Sequence, residues 1–376
     1  MAYTSVDKPI DYFNTITWTG DIQDSDGTGH DQAITGVGFQ PDWVWHKCRS
    51  HANQHIWADS IRGQGGSPTQ MLGMSSQDSG AETNSNTNGW IESLDSDGYT
   101  VTSGNDSSGK ASNAGANGRT YVGWCWNCAT SFSNDTSATG VGSIDSAGKV
   151  NTAAGISIIK YTGAGTGTTT TIAHGLGGVP EMYWVKSLDS VGNFQTYHHK
   201  MSDDPKTDYI QIDTTGAVAD FTFWGDTAPT STVFTVKDGN DVNESGEEYL
   251  AFLFRSIKGY SKFGTYEGNG NANGSFAYLG FAPAFVMVKP VDAADNWVMF
   301  DNTRNNGDPN SALAPYMFYG NTGGAETTDT KHIDFLSNGF KIRSSGNTAN
   351  RTSTFVYMAF AKDSFVSSGG VPATAR

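Results

Sequence analysis

Two short stretches of the chain carry the residue types that bind zinc. "HKCRSHANQH" and "CWNC" supply His46, Cys48, His51, His55, Cys125 and Cys128. A structural zinc site holds four nitrogen or sulfur ligands in a tetrahedron, commonly with one pair from a CxxC segment. The composition of these stretches therefore allows a zinc site, provided that the positions do not belong to an apolar core.

A lysine, an aspartate and an arginine recur at constant spacing. The two sets are Lys47, Asp59 and Arg62, then Lys289, Asp301 and Arg304. A lysine beside a carboxylate shifts its pKa, which is a feature of acid–base catalysis. The alternative is a structural ion pair at the ends of adjacent strands. We favour the structural interpretation, because a third copy of the pattern has His198 and Met201 in place of the aspartate and arginine.

Carboxylates suggest two further kinds of site. Glycosidases need two carboxylates at a set separation. Glu82 and Glu326 lie in a repeated "GAET" loop, and Glu244, Glu247 and Glu248 crowd one turn, so neither group resembles an acid and base pair. The loop "DIQDSDGTGHD" offers Asp21, Asp24, Asp26 and Asp31 as oxygen ligands for a cation such as Ca²⁺. It lacks the terminal glutamate of an EF-hand. We favour an acidic turn exposed to solvent, and we predict no bound metal and no cofactor.

The elements that position these residues are repeated three times. "FQPDWVWHK" (39–47), "GVPEMYWVK" (178–186) and "FAPAFVMVK" (281–289) share a proline and a lysine, and each is followed by matching downstream residues. "YVGWCW", "YLAFLF" and "FVYMAF" close the three copies. In this alignment Cys125 matches Leu253 and Ala359, and His46 matches Val185 and Val288. The zinc interpretation is thereby weakened, since buried cysteine commonly acts as a small apolar residue.

The repeats have the pattern of β-strands. The opening strands are apolar at consecutive positions, as in a strand buried on both faces, and the closing strands alternate large and small side chains. Turn signals recur without helical periodicity. We therefore predict an all-β chain of three tandem antiparallel β-sandwich repeats of jelly-roll or lectin type. Each sandwich is expected to fold alone, with the three in series forming an elongated module.

The predicted boundaries follow from the alignment. They are an N-terminal docking arm (1–11), repeat 1 (12–128), a Gly/Ser/Thr-rich linker with a possible hairpin (129–153), repeat 2 (154–258), repeat 3 (259–363) and a flexible tail (364–376). These three repeats are named units 1, 2 and 3 below. Unit 1 also carries a long polar loop, Asp106 to Gly118, in which Asp106, Lys110, Asn113, Asn117 and the adjacent Arg119 are candidates for recognition.

Composition excludes several functional classes. The 376 residues include 46 glycines and 12% aromatic residues, and the net charge is −15. Such a charge disfavours binding to nucleic acid, which needs a basic surface. No apolar stretch is long enough for membrane insertion, and the N-terminal residues do not resemble a secretory signal. We therefore expect folding in a cytoplasm, although a surface rich in Gly, Ser, Asn and Thr is typical of extracellular β proteins. A virion protein, assembled in the cytoplasm of its host and later exposed outside, would meet both expectations.

Longer phrases of the sequence resemble one family. "DKPIDYFNTITWTGD", "ITGVGFQPDWVWHK", "AAGISIIKYTG", "TIAHGLGGVPEMYWVK" and "NGFKIRSSGNTAN" look like a domain of structural proteins from tailed phages, especially marine and aquatic ones. The resemblance implies a virion location and carries no catalytic residues. His46 and Cys48 depart from the family pattern.

The resemblance leads to a functional expectation. The resemblance does not say where on the particle the chain lies, and our first expectation is a non-enzymatic virion protein, part of a tail fibre or other appendage, that acts in attachment to the host surface. Expected partners are other virion proteins, further copies of itself in a homo-oligomer such as a trimer, and a host cell-surface glycan. The alternatives are a capsid decoration protein or a neck or tail component without a receptor role, and, from another class, a polysaccharide-degrading enzyme.

Overall fold

A computed structural model describes residues 4–23, 30–65, 71–83, 87–104, 111–304, 316–327, 332–364 and 366. Strands make up 45% of the structure and helices 5%, so the chain is all-β with several antiparallel sheets. No helix in this part of the chain is long and apolar enough to span a membrane.

A 3₁₀ turn at Pro9–Asp11 precedes the elements of unit 1 and of the segment after it. They are β1 (Phe13–Thr19), β2 (Asp31–Thr35), β3 (Trp43–Cys48), β4 (Ile56–Asp59), β5 (Gly73–Met74), β6 (Trp90–Asp95), β7 (Gly98–Thr102), β8 (Thr120–Trp126), β9 (Thr130–Asn134), α1 (Thr136–Thr139) and β10 (Ser146–Asn151).

Unit 2 contains β11 (Ile156–Thr162), β12 (Thr170–Ala173), β13 (Met182–Ser187), β14 (Gln195–His198), β15 (Asp208–Gln211), β16 (Ala219–Asp220), a 3₁₀ turn (Thr222–Trp224), β17 (Val233–Val236), α2 (Asn240–Asn243) and β18 (Glu248–Phe254). Unit 3 contains β19 (Ser261–Glu267), β20 (Phe276–Tyr278), β21 (Phe281–Pro290), β22 (Val298–Asp301), β23 (Met317–Tyr319), β24 (Ile333–Leu336), β25 (Gly339–Ile342), α3 (Asn347–Asn350) and β26 (Thr354–Ser364).

The three large sheets share one strand order. They run β1-β8-β3-β4-β5, β11-β18-β13-β14-β15 and β19-β26-β21-β22-β23, and in unit 2 the sheet continues through β16 at one edge and through β10 and β9 at the other. The closing strand of each unit therefore lies between its first strand and its proline-led strand. Register agrees as well, because Trp45 pairs with Trp124, Trp184 with Phe252, and Met287 with Met358.

Alternation along the central strands explains why both of their faces are apolar. Trp43 and Trp45 point to the interior shared by all three units, whereas Val44 belongs to a separate cluster beneath the small sheet β2-β7-β6. Adjacent side chains of a strand lie on opposite faces. Each large sheet thus has an inner face towards the other units and an outer face covered by its own small strands.

The inner faces meet in one aromatic core. The Trp43 ring stacks on Trp126 at 3.9 Å between centroids and contacts Phe252 of unit 2 at 4.9 Å. Phe13 of unit 1 contacts Phe285 and Phe360 of unit 3 at 5.8 and 5.2 Å. The expectation of independent sandwiches in series is therefore wrong, because the inner faces are buried against one another.

Seams between the units repeat in a closed cycle. The backbone N–H of Glu82 donates to the carbonyl of Leu188 in unit 2, that of Val218 to Val291 in unit 3, and that of Glu326 to Arg49 in unit 1, at 2.9, 2.8 and 2.9 Å. Each acceptor lies two residues after the repeated lysine. The contacts run from unit 1 to 2, 2 to 3 and 3 to 1, so the arrangement closes on itself.

Four predicted details differ in the structure. Val6, in the predicted docking arm, is fully buried, and its carbonyl accepts a hydrogen bond at 3.1 Å from Ser364, which was predicted to begin the flexible tail but is the buried last residue of β26. The predicted linker does contain a hairpin, in which β9 pairs with β10, but it belongs to the sheet of unit 2, because β10 also pairs with β11. Pro283 lies within β21 at an irregular register and not at its start, which a residue without an N–H tolerates at a bulge.

Candidate functional site

The three repeated lysines are buried at the seams. Lys47 Nζ donates to the carbonyls of Cys48 and of Gly323 in unit 3, at 3.1 and 3.2 Å. Lys289 Nζ donates to the backbone carbonyls of Thr215 in unit 2 and of Asp295, at 2.9 and 2.5 Å. Lys186 Nζ donates to the carbonyls of Ser187 and Ser190. Burial lowers the pKa of each lysine to about 8. Each lysine therefore donates to backbone carbonyls and not to the aspartate of its own set.

These lysines give stability a distinctive pH dependence. An unfolded lysine stays protonated up to its ordinary pKa near 10.4, so between about pH 8 and 10 the unfolded state binds more protons than the folded state. Stability from this source rises with pH. We expect the unfolding free energy of the wild type, relative to that of Lys289→Met, to increase as pH rises from 8 to 10. Urea titrations at several pH values measure this difference, and the effect of the cysteines, which both chains share, cancels in it. A difference that stays constant with pH would contradict the prediction.

The aspartate and arginine of each set form a buried ion pair. Arg62 lies 2.5 Å from Asp59, and Arg304 lies 2.5 Å from Asp301, with all four side chains inaccessible to solvent. The glutamates of the "GAET" loops complete each cluster: Glu82 lies 3.5 Å from Arg62, and Glu326 lies 2.8 Å from Arg304. These charges are paired with one another, and the pairs stabilise the turns and the seams.

Unit 2 fills the same positions without ions. His198 and Met201 are both buried, and burial lowers the pKa of His198 to about 3. The His198 ring nitrogen lies 3.4 Å from the carbonyl of Tyr357 in unit 3. A neutral pair therefore occupies a place where the other units use charges.

The histidines and cysteines are dispersed. The His46 ring is buried between the Tyr99 hydroxyl at 3.2 Å and the Asn113 carbonyl at 2.9 Å. His55 accepts from Trp45 Nε1 at 2.7 Å, and His51 is exposed. Cys48, Cys125 and Cys128 are free and buried. Within the described residues, no three His, Cys, Asp or Glu side chains gather as a metal-binding group.

The predicted acidic loop is described only at its ends. Asp21 and Asp31 are exposed, and Asp24 and Asp26 lie outside the described residues.

The candidate recognition loop is largely interior where it is described. Asp106 and Lys110 lie outside the described residues, and 111–116 are buried. The Tyr121 hydroxyl donates to the carbonyls of Ala111 and Ser112 and accepts from the Ala116 N–H. Asn117 is exposed, and Arg119 donates to the side chain of Asn53 at 3.2 Å. These backbone contacts hold the segment over His46.

Asn113 connects this loop to a pocket in unit 1. The cavity has a volume of about 400 Å³, and its walls come from the turn after β5, the "GAET" loop and the start of β6. Its lining includes Gln54, Ser75, Asp78, Glu82, Asn88, Trp90 and Asn113. This volume lies within the range of small-ligand pockets, and the mix of amide, hydroxyl and carboxylate groups with one indole suits a polyhydroxylated ligand.

Two residues that line this pocket each carry a buried polar atom. Ser75 Oγ and Trp90 Nε1 make no hydrogen bond among the described residues, and both residues line the cavity. Trp43 Nε1 is also unpaired, but it lies in the apolar core. Unpaired buried donors are costly, but both atoms are closed off from solvent and the Trp90 indole packs on Gly73, so they do not by themselves identify a ligand site.

Burial also shifts the pKa of Glu82, one of the acids that line the pocket. The pKa of Glu82 is raised by burial and by Asp59, while Arg62 opposes the shift. Sequence reasoning missed this pocket, although the repeated "GAET" motif marked one of its walls.

The comparisons with known proteins identify a family. Residues 8–364 match the family described as a domain of unknown function, DUF7483. The chain belongs to this family. The match runs from the first 3₁₀ turn to the end of β26, so it treats the three units as one domain, as the shared core does. No curated protein matches the chain, and no solved structure matches it.

Proposed function

We propose that this chain is a non-enzymatic structural protein of a tailed-phage virion, part of a tail fibre or another appendage, and that it attaches to a glycan of the host surface. The observation that supports it best is the use of the repeated charged residues: Asp59, Arg62, Asp301 and Arg304 are buried and paired. They hold a scaffold together, whereas the polar pocket of unit 1 remains open for a ligand.

The finer architecture belongs to this proposal. Three copies of one β-sandwich unit close about a pseudo-threefold axis, with the lysine seams as the repeated joints. Threefold geometry suits a place on the axis of a trimeric appendage. The chain buries its own core, so any self-association uses the outer surface.

A pocket-blocking variant tests the attachment role. Ala81→Trp fills the cavity beside Glu82, and Ala325→Trp makes the same change in the identical "GAET" motif of unit 3. We expect the first variant to lose at least about tenfold in the binding of labelled protein to host cells, and the second to bind like the wild type. Equal binding by all three would contradict a role for the pocket.

Location on the particle tests the virion assignment. Gold labelling of purified phage with an antibody to the chain is expected to mark the tail or its appendages, with far fewer copies than capsid subunits. Label distributed over the capsid at a matching copy number would contradict the proposal and favour decoration. Shortened host polysaccharide after incubation with the purified chain would contradict the non-enzymatic part.

A further inference from the structure

Two exposed aromatic side chains lie together on β20 of unit 3. Phe276 and Tyr278 are 44% and 53% exposed, while Ala277 between them is buried. Side chains two apart on a strand share a face, so both rings project outward. Among the exposed large apolar side chains of the described residues, these are the only two on one strand.

The other units show that the fold does not require these rings. Ala277 pairs with Phe340, as Ile34 pairs with Tyr99 and Ile172 with Phe234. These registers align the Phe276 and Tyr278 positions with Ala33 and Thr35 in unit 1 and with Thr171 and Ala173 in unit 2. Small residues therefore suffice where the small sheet serves only as a cover. The aromatic pair is an addition to unit 3.

Basic groups flank the pair. Lys262 Nζ lies 5.5 Å from the centre of the Tyr278 ring and donates to the Tyr278 carbonyl at 2.6 Å. Lys341 is the cross-strand neighbour of Phe276, and it makes no ion pair or hydrogen bond among the described residues. Asp334, the cross-strand neighbour of Lys341 on β24, accepts a hydrogen bond from Arg343. Two ammonium groups therefore lie beside the two rings on a chain with net charge −15, with Glu181 as the carboxylate that acts on Lys262.

We propose that Phe276, Tyr278, Lys262 and Lys341 form a binding site for an acidic oligosaccharide. The C–H face of a sugar ring packs on the electron-rich ring faces, and the ammonium groups, each with donors to spare, bind the sugar carboxylate. Two aromatic side chains are too small a patch for the core of a stable protein interface, which buries on the order of 1,000 Å² or more. The inference rests on the proposed function only for the sugar's source on a host surface.

Binding of defined sugars to the purified full chain tests the site. The ligands are tetragalacturonic acid, a hyaluronan tetrasaccharide and a sialic acid tetramer, with methyl-esterified tetragalacturonate as the uncharged counterpart. We expect saturable binding by calorimetry to at least one acidic ligand. The double variant Phe276→Thr/Tyr278→Thr, which carries threonine as Thr171 and Thr35 do, should weaken that binding about tenfold.

Further variants separate the two contributions. Lys341→Gln should weaken the binding of the acidic ligand and leave unchanged the binding of the methyl ester, which is weaker from the start. Phe221→Thr removes another exposed ring, 41% exposed and in unit 2, and should bind like the wild type. No saturable binding to any acidic ligand, or unchanged binding by the double variant, would overturn the inference. So would a double variant that changes only the sedimentation of the chain, since the rings would then join two copies.

This assay uses no phage. A chain that binds these sugars but is absent from the virion would overturn the proposed function and keep this site. If the chain is found in the virion but does not bind these sugars, this site is overturned and the proposed function is kept.

Discussion

Asp301→Ala is expected to lower the free energy of unfolding by about 3–5 kcal/mol, because it leaves a buried arginine without its principal partner. Asp301 accepts from Arg304 Nε at 2.5 Å and from the backbone N–H of Arg304 at 2.9 Å. It also accepts from Trp124 Nε1 of unit 1 at 3.0 Å. The substitution therefore breaks a turn and a seam together. Urea unfolding followed by tryptophan fluorescence measures the loss.

An exposed pair of the same length provides the control. Lys206 and Asp204 also lie 2.5 Å apart, but Asp204 is 57% exposed. Asp204→Ala should cost less than about 1 kcal/mol, since solvent screens the charges. Similar losses in the two variants would show that burial is not the cause.

Unit 2 supplies the compensating variant. His198 and Met201 occupy the equivalent positions without a charge pair. Asp301→His combined with Arg304→Met removes both charges, and Glu326 keeps its bond to Arg49 at 3.0 Å. Replacing both partners of a buried pair is far less costly than removing one, so the double variant should regain most of the stability lost by Asp301→Ala. A double variant as unstable as the single one would refute this explanation.

The sequence allowed the strands to be predicted but not the way in which the units meet. Alternation at Trp43, Val44 and Trp45 places a strand between two apolar layers. It does not say whether the second layer is a sheet of the same unit or the inner face of another. The structure shows both, one on each side. Local pattern fixes which faces are apolar, whereas the partner of a face depends on contacts distant in the chain.

The unit 1 loop shows why polar composition misled. Ser112 and Asn113 sit in a stretch of Gly, Ser and Asn that predicts an exposed turn. Both are buried, because Tyr121 and His46 satisfy the backbone carbonyls of the segment. A polar segment can be interior when its hydrogen bonds are met, and the partners here lie at other points of the sequence. The pocket was missed for the same reason, since its walls join positions as distant as Gln54 and Asn113.

Trp43→Ala is expected to cost about 3–5 kcal/mol, the range for removing a large aromatic side chain from a packed core. Its ring packs on Trp126 and also reaches Trp184 of unit 2 at 5.9 Å. Trp126 in turn contacts Phe285 of unit 3 at 6.2 Å. The substitution therefore opens a cavity where all three units meet.

Amide hydrogen exchange measures which units lose protection in Trp43→Ala. Because the inner faces form one core, Trp43→Ala should reduce amide protection in β18 of unit 2 and β26 of unit 3 together with β3 and β8. Trp224→Ala is the matched control: that indole is equally buried, but its ring contacts, with Tyr183, Tyr197 and Phe223, lie within unit 2. It should raise exchange mainly in unit 2. If the effect of Trp43→Ala stayed within unit 1, the units would be independent domains, and a shared core could not be what stabilises the chain.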